Sequence, residues 1–262
     1  MKDINYLKLF SLAGKRALIT GAGRSDGIGA AIAKGLADCG AEVIIHDHLI
    51  DTAEVATRIR ESGGKCHTLS QDLSVKNAGR DLIASAYQRF GDIDILVLNA
   101  SYQVVGDFAD VSNDDFEQQI NINLRSNFEI LQDILPRMKH QGWGRVVNIG
   151  SVNQRSPKSI VSIYAAAKAA INNLIQSLAR DYAAANVLLN TVAPGLVDTY
   201  PQKRANDPQA EQAWDDYARQ LNWVGRAAQP EEIVGAVLYL ASPACSFMAG
   251  ESLFVTGGFT GG

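Results

Sequence analysis

Seven short runs of β-branched or apolar residues punctuate the chain: RALIT, AEVIIH, KCHTLS, DILVLN, GRVVNIG, VLLNTVAP and SLFVTGG. Between them lie longer stretches of helical pattern, at Ile28 to Cys39, Thr52 to Ser62, Lys76 to Phe90, Asn113 to His140, Ile163 to Ala184 and Pro230 to Ala241. Strand and helix in strict alternation predict a parallel sheet covered by helices on both faces. ILVL and VVNI are apolar or nearly so at every position, as central strands buried on both faces should be. Right-handed crossovers then give an α/β architecture, one doubly wound domain spanning 1–262 with a central parallel sheet of about seven strands. The one long irregular stretch, roughly Leu196 to Arg226, is expected to be a substrate-side excursion. Ligands of such sheets bind outside the carboxyl ends of the strands, which directs attention to the residues just after each one.

Charge and composition narrow the ligand. A formal charge of −4 without any dense Lys/Arg cluster gives no reason to expect nucleic acid or an anionic membrane, so a small molecule is the expected partner. No apolar run approaches the roughly 18 residues that span a bilayer, and the first residues lack a signal-peptide core, so a cytoplasmic protein is expected. Cys39, Cys66 and Cys245 are widely spaced and odd in number, which suits reduced structural thiols. The histidines at 46, 48, 67 and 140 form no ligand pair at helical spacing, and no metal is expected.

The turn after the first strand reads ITGAGRSDGIGAAIA, with glycines at 21, 23, 27 and 29. Glycines at a strand-to-helix turn let the backbone approach a pyrophosphate, whose charge meets the N–H groups opening the helix. The common G-x-G-x-x-G spacing fails, because Asp26 stands where the third glycine should be. Alone the cluster reads equally as a flexible turn. Asp47 strengthens the nucleotide reading: it ends the second strand, roughly 20 residues on, where a carboxylate can accept from both hydroxyls of an adenosine ribose. Asp72 ends the third strand and reads either as an adenine contact or as a cap for the helix beginning near Ser74.

In SIYAAAKAA, Tyr164 and Lys168 are four apart on an expected helix and so share a face. An ammonium about 4 Å from a phenol contributes roughly 4 kcal/mol at an effective dielectric near 20, enough to poise the phenol as an acid/base near neutral pH. Ser151 follows the fifth strand, where its hydroxyl either holds a substrate oxygen or caps a turn.

With these residues in order, the chain resembles the classical short-chain dehydrogenase/reductases from about Leu9 to the C-terminus. TG...GIG is similar to that family's cofactor loop, Asn99-Ala100 to its fourth-strand motif, NINL to the segment carrying its Asn, Ser151...Tyr164-x-x-x-Lys168 to its catalytic spacing, and APGLVDT to its nicotinamide-side loop. The resemblance implies a Rossmann-type fold and four catalytic residues: Tyr164 as acid/base, Lys168 binding the nicotinamide ribose and lowering the tyrosine pKa, Ser151 orienting the substrate oxygen, and Asn123 organising a proton-relay water. It implies cofactor contacts at Gly21, Gly23, Arg24, Gly27, Ile28, Asp47, Asp72, Leu73, Asn99, Ala100, Tyr164, Lys168, Pro194, Gly195, Val197 and Thr199. A homotetramer or homodimer through the helices at 113–139 and 163–184 follows from the same likeness. Two departures stand out. Gly21 and Gly27 enclose five residues where the family usually has three, an insertion expected to bulge toward the adenosine phosphate side. LNAS at 98–101 replaces the common Asn-Asn-Ala-Gly, placing Ser101 and Tyr102 near the substrate.

Arg24 could grip a 2′-phosphate, but Asp47 would repel it by about 4 kcal/mol at 4 Å and an effective dielectric near 20, before discounting for solvent. NAD is therefore expected over NADP. Gln103, Ser151, Asn153 and Tyr164 are the expected substrate contacts, with Gln154 and Arg155 as further donors and Tyr200, Trp214, Tyr217 and Trp223 from the excursion. These suit a small polar alcohol or ketone such as a polyol or sugar acid. LFSLAGKRALITG is similar to the sugar-acid and polyol branch, with 3-oxoacyl-carrier-protein reductases as the rival and a catalytically silent nucleotide-binding scaffold as a further alternative.

Overall fold

The computed structural model describes residues 5–258. The strands are β1 (Arg16–Thr20), β2 (Glu42–Asp47), β3 (Lys65–Ser70), β4 (Ile95–Leu98), β5 (Gly144–Ile149), β6 (Val187–Pro194) and β7 (Ser252–Val255), all parallel, in the order β3-β2-β1-β4-β5-β6-β7. Side chains alternate between faces along each strand. Ala17, Ile19, Val43, Ile45, Ile95 and Val97 point into one apolar layer, and Leu18, Ile44, Leu96 and Leu98 into the other. Helices α1 (Ile28–Asp38), α2 (Ala53–Glu61) and α8 (Glu231–Ala241) cover the first layer. Helices α3 (Ala78–Phe90), α5 (Ser126–Gln141) and α6 (Ser162–Tyr182) cover the second. The chain order reverses between β1 and β4, so their carboxyl ends diverge into a crevice there.

Two elements differ from the pattern-based expectation. The single helix expected from Asn113 to His140 is interrupted: α4 (Asn113–Ile120) passes through a π-helical turn at Asn121–Arg125 before α5 begins. Three polar side chains there bond the carbonyl four residues back, Asn123 Nδ2 to Gln119 O at 2.8 Å, Ser126 Oγ to Ile122 O at 2.8 Å and Asn127 Nδ2 to Asn123 O at 2.9 Å. Such back-bonding competes with the regular ladder and accompanies its widening. The stretch expected to be irregular contains α7 (Pro208–Leu221), started by Pro208 and by Asp207, whose carboxylate accepts from the N–H groups of Gln209 and Ala210 at 3.1 and 3.0 Å.

Helix α3 is anchored from outside itself. Asn77, in left-handed backbone at φ 69°, precedes it without a side-chain cap, and the buried Glu129 of α5 fills that role. Its carboxylate accepts from Asn77 N–H at 2.9 Å and Gly79 N–H at 3.1 Å, placing negative charge at the positive end of the helix. The helices pack so closely there that a Cβ on Gly79 would collide with the Ser126 carbonyl and stand 2.8 Å from Glu129 Cβ. Gly235, by contrast, sits exposed in α8 with open space where a Cβ would go. Gly79→Ala should therefore lower unfolding free energy by about 1 to 3 kcal/mol. Gly235→Ala should raise it by roughly 0.5 to 1 kcal/mol. Urea denaturation of both variants checks the pair, and equal effects of one sign would contradict this packing.

Candidate active site

The crevice is built first by the lacing of β1 to β4. Thr20 Oγ1 accepts from the N–H groups of Asn99 and Ala100, both at 3.0 Å, and Asn99 Nδ2 donates to Thr20 O at 3.0 Å and Gly21 O at 2.7 Å. Gly21 turns away from β1 at φ +67° with Ala100 against it; a Cβ there would lie 2.6 Å from Ala100 Cα. Helix α1 then starts at Gly27 with no side-chain cap, so its opening N–H groups point outward over the glycine turn. That turn, which a side chain at Gly21 would push away from β4, leads to uncapped helix N–H groups that fit the pyrophosphate of a dinucleotide.

The two inserted residues close a tight turn, with Gly27 N–H donating to Arg24 O at 2.9 Å. Arg24 Nε pairs with Asp26 Oδ1 at 2.9 Å, and its guanidinium lies 3.5 Å from the centre of the Tyr200 ring. The insertion thus leans toward the excursion after β6, where the sequence suggested the adenosine phosphate side. Asp47 does not face outward as expected: its Oδ2 accepts from Gly23 N–H at 3.0 Å and its Oδ1 from His48 N–H at 2.8 Å. Asp72 accepts from Ser74 N–H at 2.9 Å and Ser74 Oγ–H at 2.7 Å, which closes a local turn; the helix that follows begins only at Ala78, so Asp72 caps no helix end.

Four elements bring their side chains to the other end of the crevice. Tyr164 and Lys168 project from α6, Ser151 follows β5, Ser101 follows β4, and the π turn carries Asn123. The Tyr164 hydroxyl end lies deep; burial pushes the phenol above its ordinary pKa, and the neighbouring hydroxyls of Ser151 and Ser101 oppose that rise. Lys168 is not among the groups that shift it. Its Nζ stands 5.6 Å from the Tyr164 ring centre and donates to Ile149 O at 2.7 Å, so here burial outweighs the ammonium effect expected from helical spacing. Ser151 fills the capping role of its two readings: its Oγ accepts from Asn153 N–H at 3.1 Å while its own N–H donates to Gln154 Oε1 at 3.2 Å. Asn123 is fully buried. It holds the segment after β4 through Tyr102, accepting from its N–H at 3.2 Å and donating to its carbonyl at 2.6 Å.

Between these ends runs a cleft of about 860 Å³ lined by Arg24, Ile28, Asn99, Gln103, Ser151, Asn153, Tyr164 and Lys168 and by Pro194, Gly195, Val197 and Thr199. Gly21, Ala100 and Asn123 sit behind its wall, while Gly23, Gly27, Asp47, Asp72 and Leu73 lie outside its lining. Tyr200, Trp214 and Tyr217 reach it; Trp223, Gln154 and Arg155 do not. Lys158 and Lys203 also line it, and no periodicity or spacing in the sequence distinguishes them from surface lysines.

A family model described as Enoyl-(Acyl carrier protein) reductase matches residues 21–260. Gluconate 5-dehydrogenase of Gluconobacter oxydans is 35% identical over 98% of this chain and 99% of its own. The chain belongs to the short-chain dehydrogenase/reductase family. It is accordingly a nicotinamide-dependent oxidoreductase that moves a hydride between cofactor and a polar alcohol or ketone. Among solved structures, a 3-oxoacyl (acyl-carrier-protein) reductase from Agrobacterium tumefaciens C58 with NADP bound is 52% identical, covers 98% of this chain and 99% of that one, and superposes with a TM-score of 0.93. A gluconate 5-dehydrogenase from Burkholderia cenocepacia J2315 in complex with NADP and tartrate is 33% identical over 97% and 98% of the two chains, with a TM-score of 0.86. Both hold NADP, which overturns the expected preference for NAD. A local feature bears on this: both carboxylate oxygens of Asp47 already accept from main-chain N–H groups of this dehydrogenase/reductase, which leaves them less available to a ribose and offsets part of the repulsion reckoned for a free acid.

Lys168 generates a test of the site's electrostatics. Complete burial pushes its ammonium down to about 8 from 10.5. Between those values the unfolded chain keeps the proton while the folded site releases it, so this residue's contribution to stability rises with pH across that window. Below pH 8 both states are protonated and the burial cost stands in full, about 3 kcal/mol. The unfolding free energy of wild type minus that of Lys168→Met should climb by roughly this amount from pH 8 to 10.5. A flat difference would show that the buried ammonium keeps its ordinary pKa.

Proposed function

We propose that the enzyme interconverts the hydroxyl and keto forms of a sugar acid with NADP(H). The observation carrying this reading is the charge of the cleft: Arg24, Lys158, Lys168 and Lys203 line it and no carboxylate does, in a chain whose formal charge is −4. Gathering cations at one crevice of an acidic protein focuses positive potential on an anionic ligand. Lys158 Nζ donates to Tyr217 Oη at 2.9 Å and Lys203 Nζ lies 4.3 Å from the Tyr200 ring centre, so aromatic residues of the excursion hold the lysines at the mouth. Gln103 and Asn153 add uncharged donors and acceptors suited to hydroxyls. The gluconate-oxidising relatives and the tartrate in the Burkholderia structure agree with this chemistry.

In the proposed reaction Tyr164 gives its proton to the carbonyl oxygen on reduction and takes it back on oxidation. Ser151, which lines the cleft beside the phenol, would hold that oxygen next to it. Asn123 fixes the wall after β4, and Lys168 adds positive charge behind the phenol. A bound nicotinamide supplies or receives the hydride. Arg24, Ile28, the opening N–H groups of α1, Asn99, Lys168 and the segment from Pro194 to Thr199 would hold it. Val105 and Ile160, both exposed at the cleft, favour a second reading, reduction of a 3-oxoacyl thioester, as in the name of the Agrobacterium protein.

A homodimer or homotetramer in the cytoplasm is proposed as the working state. Ile120, Leu124, Phe128 and Leu174 line a shallow apolar depression of about 490 Å³ between α4–α5 and α6, a surface suited to a second copy. The cysteines are all free, in keeping with a reducing compartment, and no helix among the described residues is long and apolar enough to cross a membrane.

Nicotinamide absorbance with gluconate, 5-ketogluconate, other polyols and 3-oxoacyl esters tests the assignment: sugar acids with NADP(H) should give the highest kcat/KM, and a thioester preference would replace it. Tyr164→Phe should lower kcat by about 10²-fold or more while NADPH affinity stays within roughly twofold. Lys158→Met and Lys203→Met should each raise KM for a sugar acid about tenfold, with less effect on an uncharged polyol. Light scattering at micromolar concentration should show more than one copy per particle.

A further inference from the structure

Helix α7 forms an outer wall of the cleft with little packing to hold it there. Of its 14 residues only Ala218 is buried, and Trp214, Tyr217 and Leu221 line the cleft instead of the core. A helix that gives its apolar face to a ligand cavity gains little from hydrophobic burial, so polar ties must fix its position. At the carboxyl end the tie is the buried Asn222. Its Nδ2 donates to Ala218 O at 3.1 Å and Arg226 O at 3.0 Å, and its Oδ1 accepts from Gly225 N–H at 2.9 Å. At the amino end the tie is Arg204. Its Nη2 donates to Asp198 Oδ2 at 2.6 Å, its Nε to Glu211 Oε2 at 3.1 Å and its Nη1 to the Tyr200 carbonyl at 3.4 Å, while the guanidinium carbon lies 4.4 Å from the centre of the Trp214 ring. These partners belong to two different bodies. Asp198 is fixed to the segment that leads into α8: Val197 pairs with Ala228 in a parallel bridge, and Asp198 N–H donates to Ala228 O at 2.8 Å. Glu211 and Trp214 belong to α7. One guanidinium therefore joins the platform between β6 and α8 to the first turns of α7.

We propose that Arg204 is a positioning residue for substrate binding: it holds α7 at the distance from β6 that sets the width of the cleft, and so places Trp214 and Tyr217 against the substrate. The proposal rests on this cleft being where the substrate binds. Arg204 lies outside the cleft lining and outside the motifs that carry the family likeness, so its effect runs through the helix. Its side chain is 12% exposed and that of Asp198 13%, so water competes little for their charge-assisted bond. Asp198 and Glu211 neutralise the guanidinium, which removes Arg204 from the cations that draw an anion to the cleft. What remains is geometry. A planar fork meets one acid through Nη2, another through Nε and an aromatic face at the same time, whereas an ammonium carries the same charge at a single point. Tyr217 Oη accepts from Lys158 Nζ at 2.9 Å, so a shift of α7 also moves a contact of a lysine in the lining.

The test compares Arg204→Met, which loses charge and fork, with Arg204→Lys, which keeps the charge alone. Acrylamide quenching of Trp214 fluorescence, taken as each protein minus its Trp214→Phe counterpart, needs no turnover and should rise about twofold in both variants. With 5-ketogluconate and with fructose, an uncharged ketose, KM should rise about tenfold in Arg204→Met and less in Arg204→Lys, while kcat and the KM for NADPH stay within about twofold. Thermal midpoints should stay near that of wild type, because α7 adds one residue to the buried set. Unmoved quenching and KM in Arg204→Met, or full recovery of both in Arg204→Lys, overturns the proposal, and so does quenching that rises while KM stays in place. A rise in KM for 5-ketogluconate without one for fructose would make Arg204 a source of charge and overturn it equally. If wild-type enzyme turns over neither sugar, the sugar-acid reading fails, and KM for a 3-oxoacyl ester together with the quenching decides the Arg204 proposal by the same criteria.

Discussion

The close approach of β1 and β4 at the point where strand order reverses is the constraint on which the site depends. Parallel neighbours in the sheet are joined by slanted main-chain bonds, but past the last paired residues those groups need new partners. Thr20 and Asn99 supply them, one side-chain oxygen taking two N–H groups and one side-chain amide giving to two carbonyls. This cross-lacing fixes Gly21 against Ala100 and excludes any larger residue there. It also sets where α1 begins and where the chain leaves β4, hence the position of Ser101 in the cleft lining beside Asn123. An error of an ångström in this lacing would reach both the phosphate cradle and the phenol.

Burial works on the two titratable groups of α6 in opposite chemical senses. It raises the phenol of Tyr164 and lowers the ammonium of Lys168, so both neutral forms gain at the expense of the charged ones. A cleft that only excluded water would leave the tyrosine too weak an acid for proton exchange near neutral pH. The serine hydroxyls from β4 and β5 oppose that, and both approach along strand ends whose positions the sheet already determines. Lys168 answers its own burial by donating to the Ile149 carbonyl, the last residue of β5. The helix face and the strand ends are therefore tied electrostatically as well as by packing.

The strands were legible because burial on both faces leaves an apolar run, and the helices because their stripes recur at 3.6. Tyr164, Lys168 and Ser151 were legible through spacing and through their place after a strand. Other features turn on contacts between residues far apart in sequence, which no local pattern carries. The π turn at Asn121–Arg125 arises from Asn and Ser side chains bonding back to carbonyls, and such residues read in a sequence simply as poor helix formers. Lys158 and Lys203 belong to the cleft through the excursion, Lys158 by donating to Tyr217 of α7 and Lys203 by lying beside Tyr200 ahead of that helix. Asp47 ends β2 as its sequence position suggests, but that its carboxylate accepts from the N–H groups of Gly23 and His48 depends on how the glycine turn folds back, which no local pattern carries.

That insertion changes what the glycine turn connects. A turn of the usual length passes directly from strand to helix, whereas the longer one carries Arg24 far enough to lie over Tyr200, about 175 residues later in the chain. A guanidinium over an aromatic face contributes on the order of 0.5 to 2 kcal/mol, more as water is excluded. Asp26 pairs with the same guanidinium and holds it from the other side. The cofactor-side loop and the substrate-side excursion therefore share one cation, and each restrains the other. Because Asp26 offsets the Arg24 charge, the positive potential of the cleft rests chiefly on Lys158, Lys168 and Lys203. The residues that set the loop's shape thus also brace Tyr200, so the departure from the common glycine spacing has its physical consequence at the substrate mouth as much as at the nucleotide.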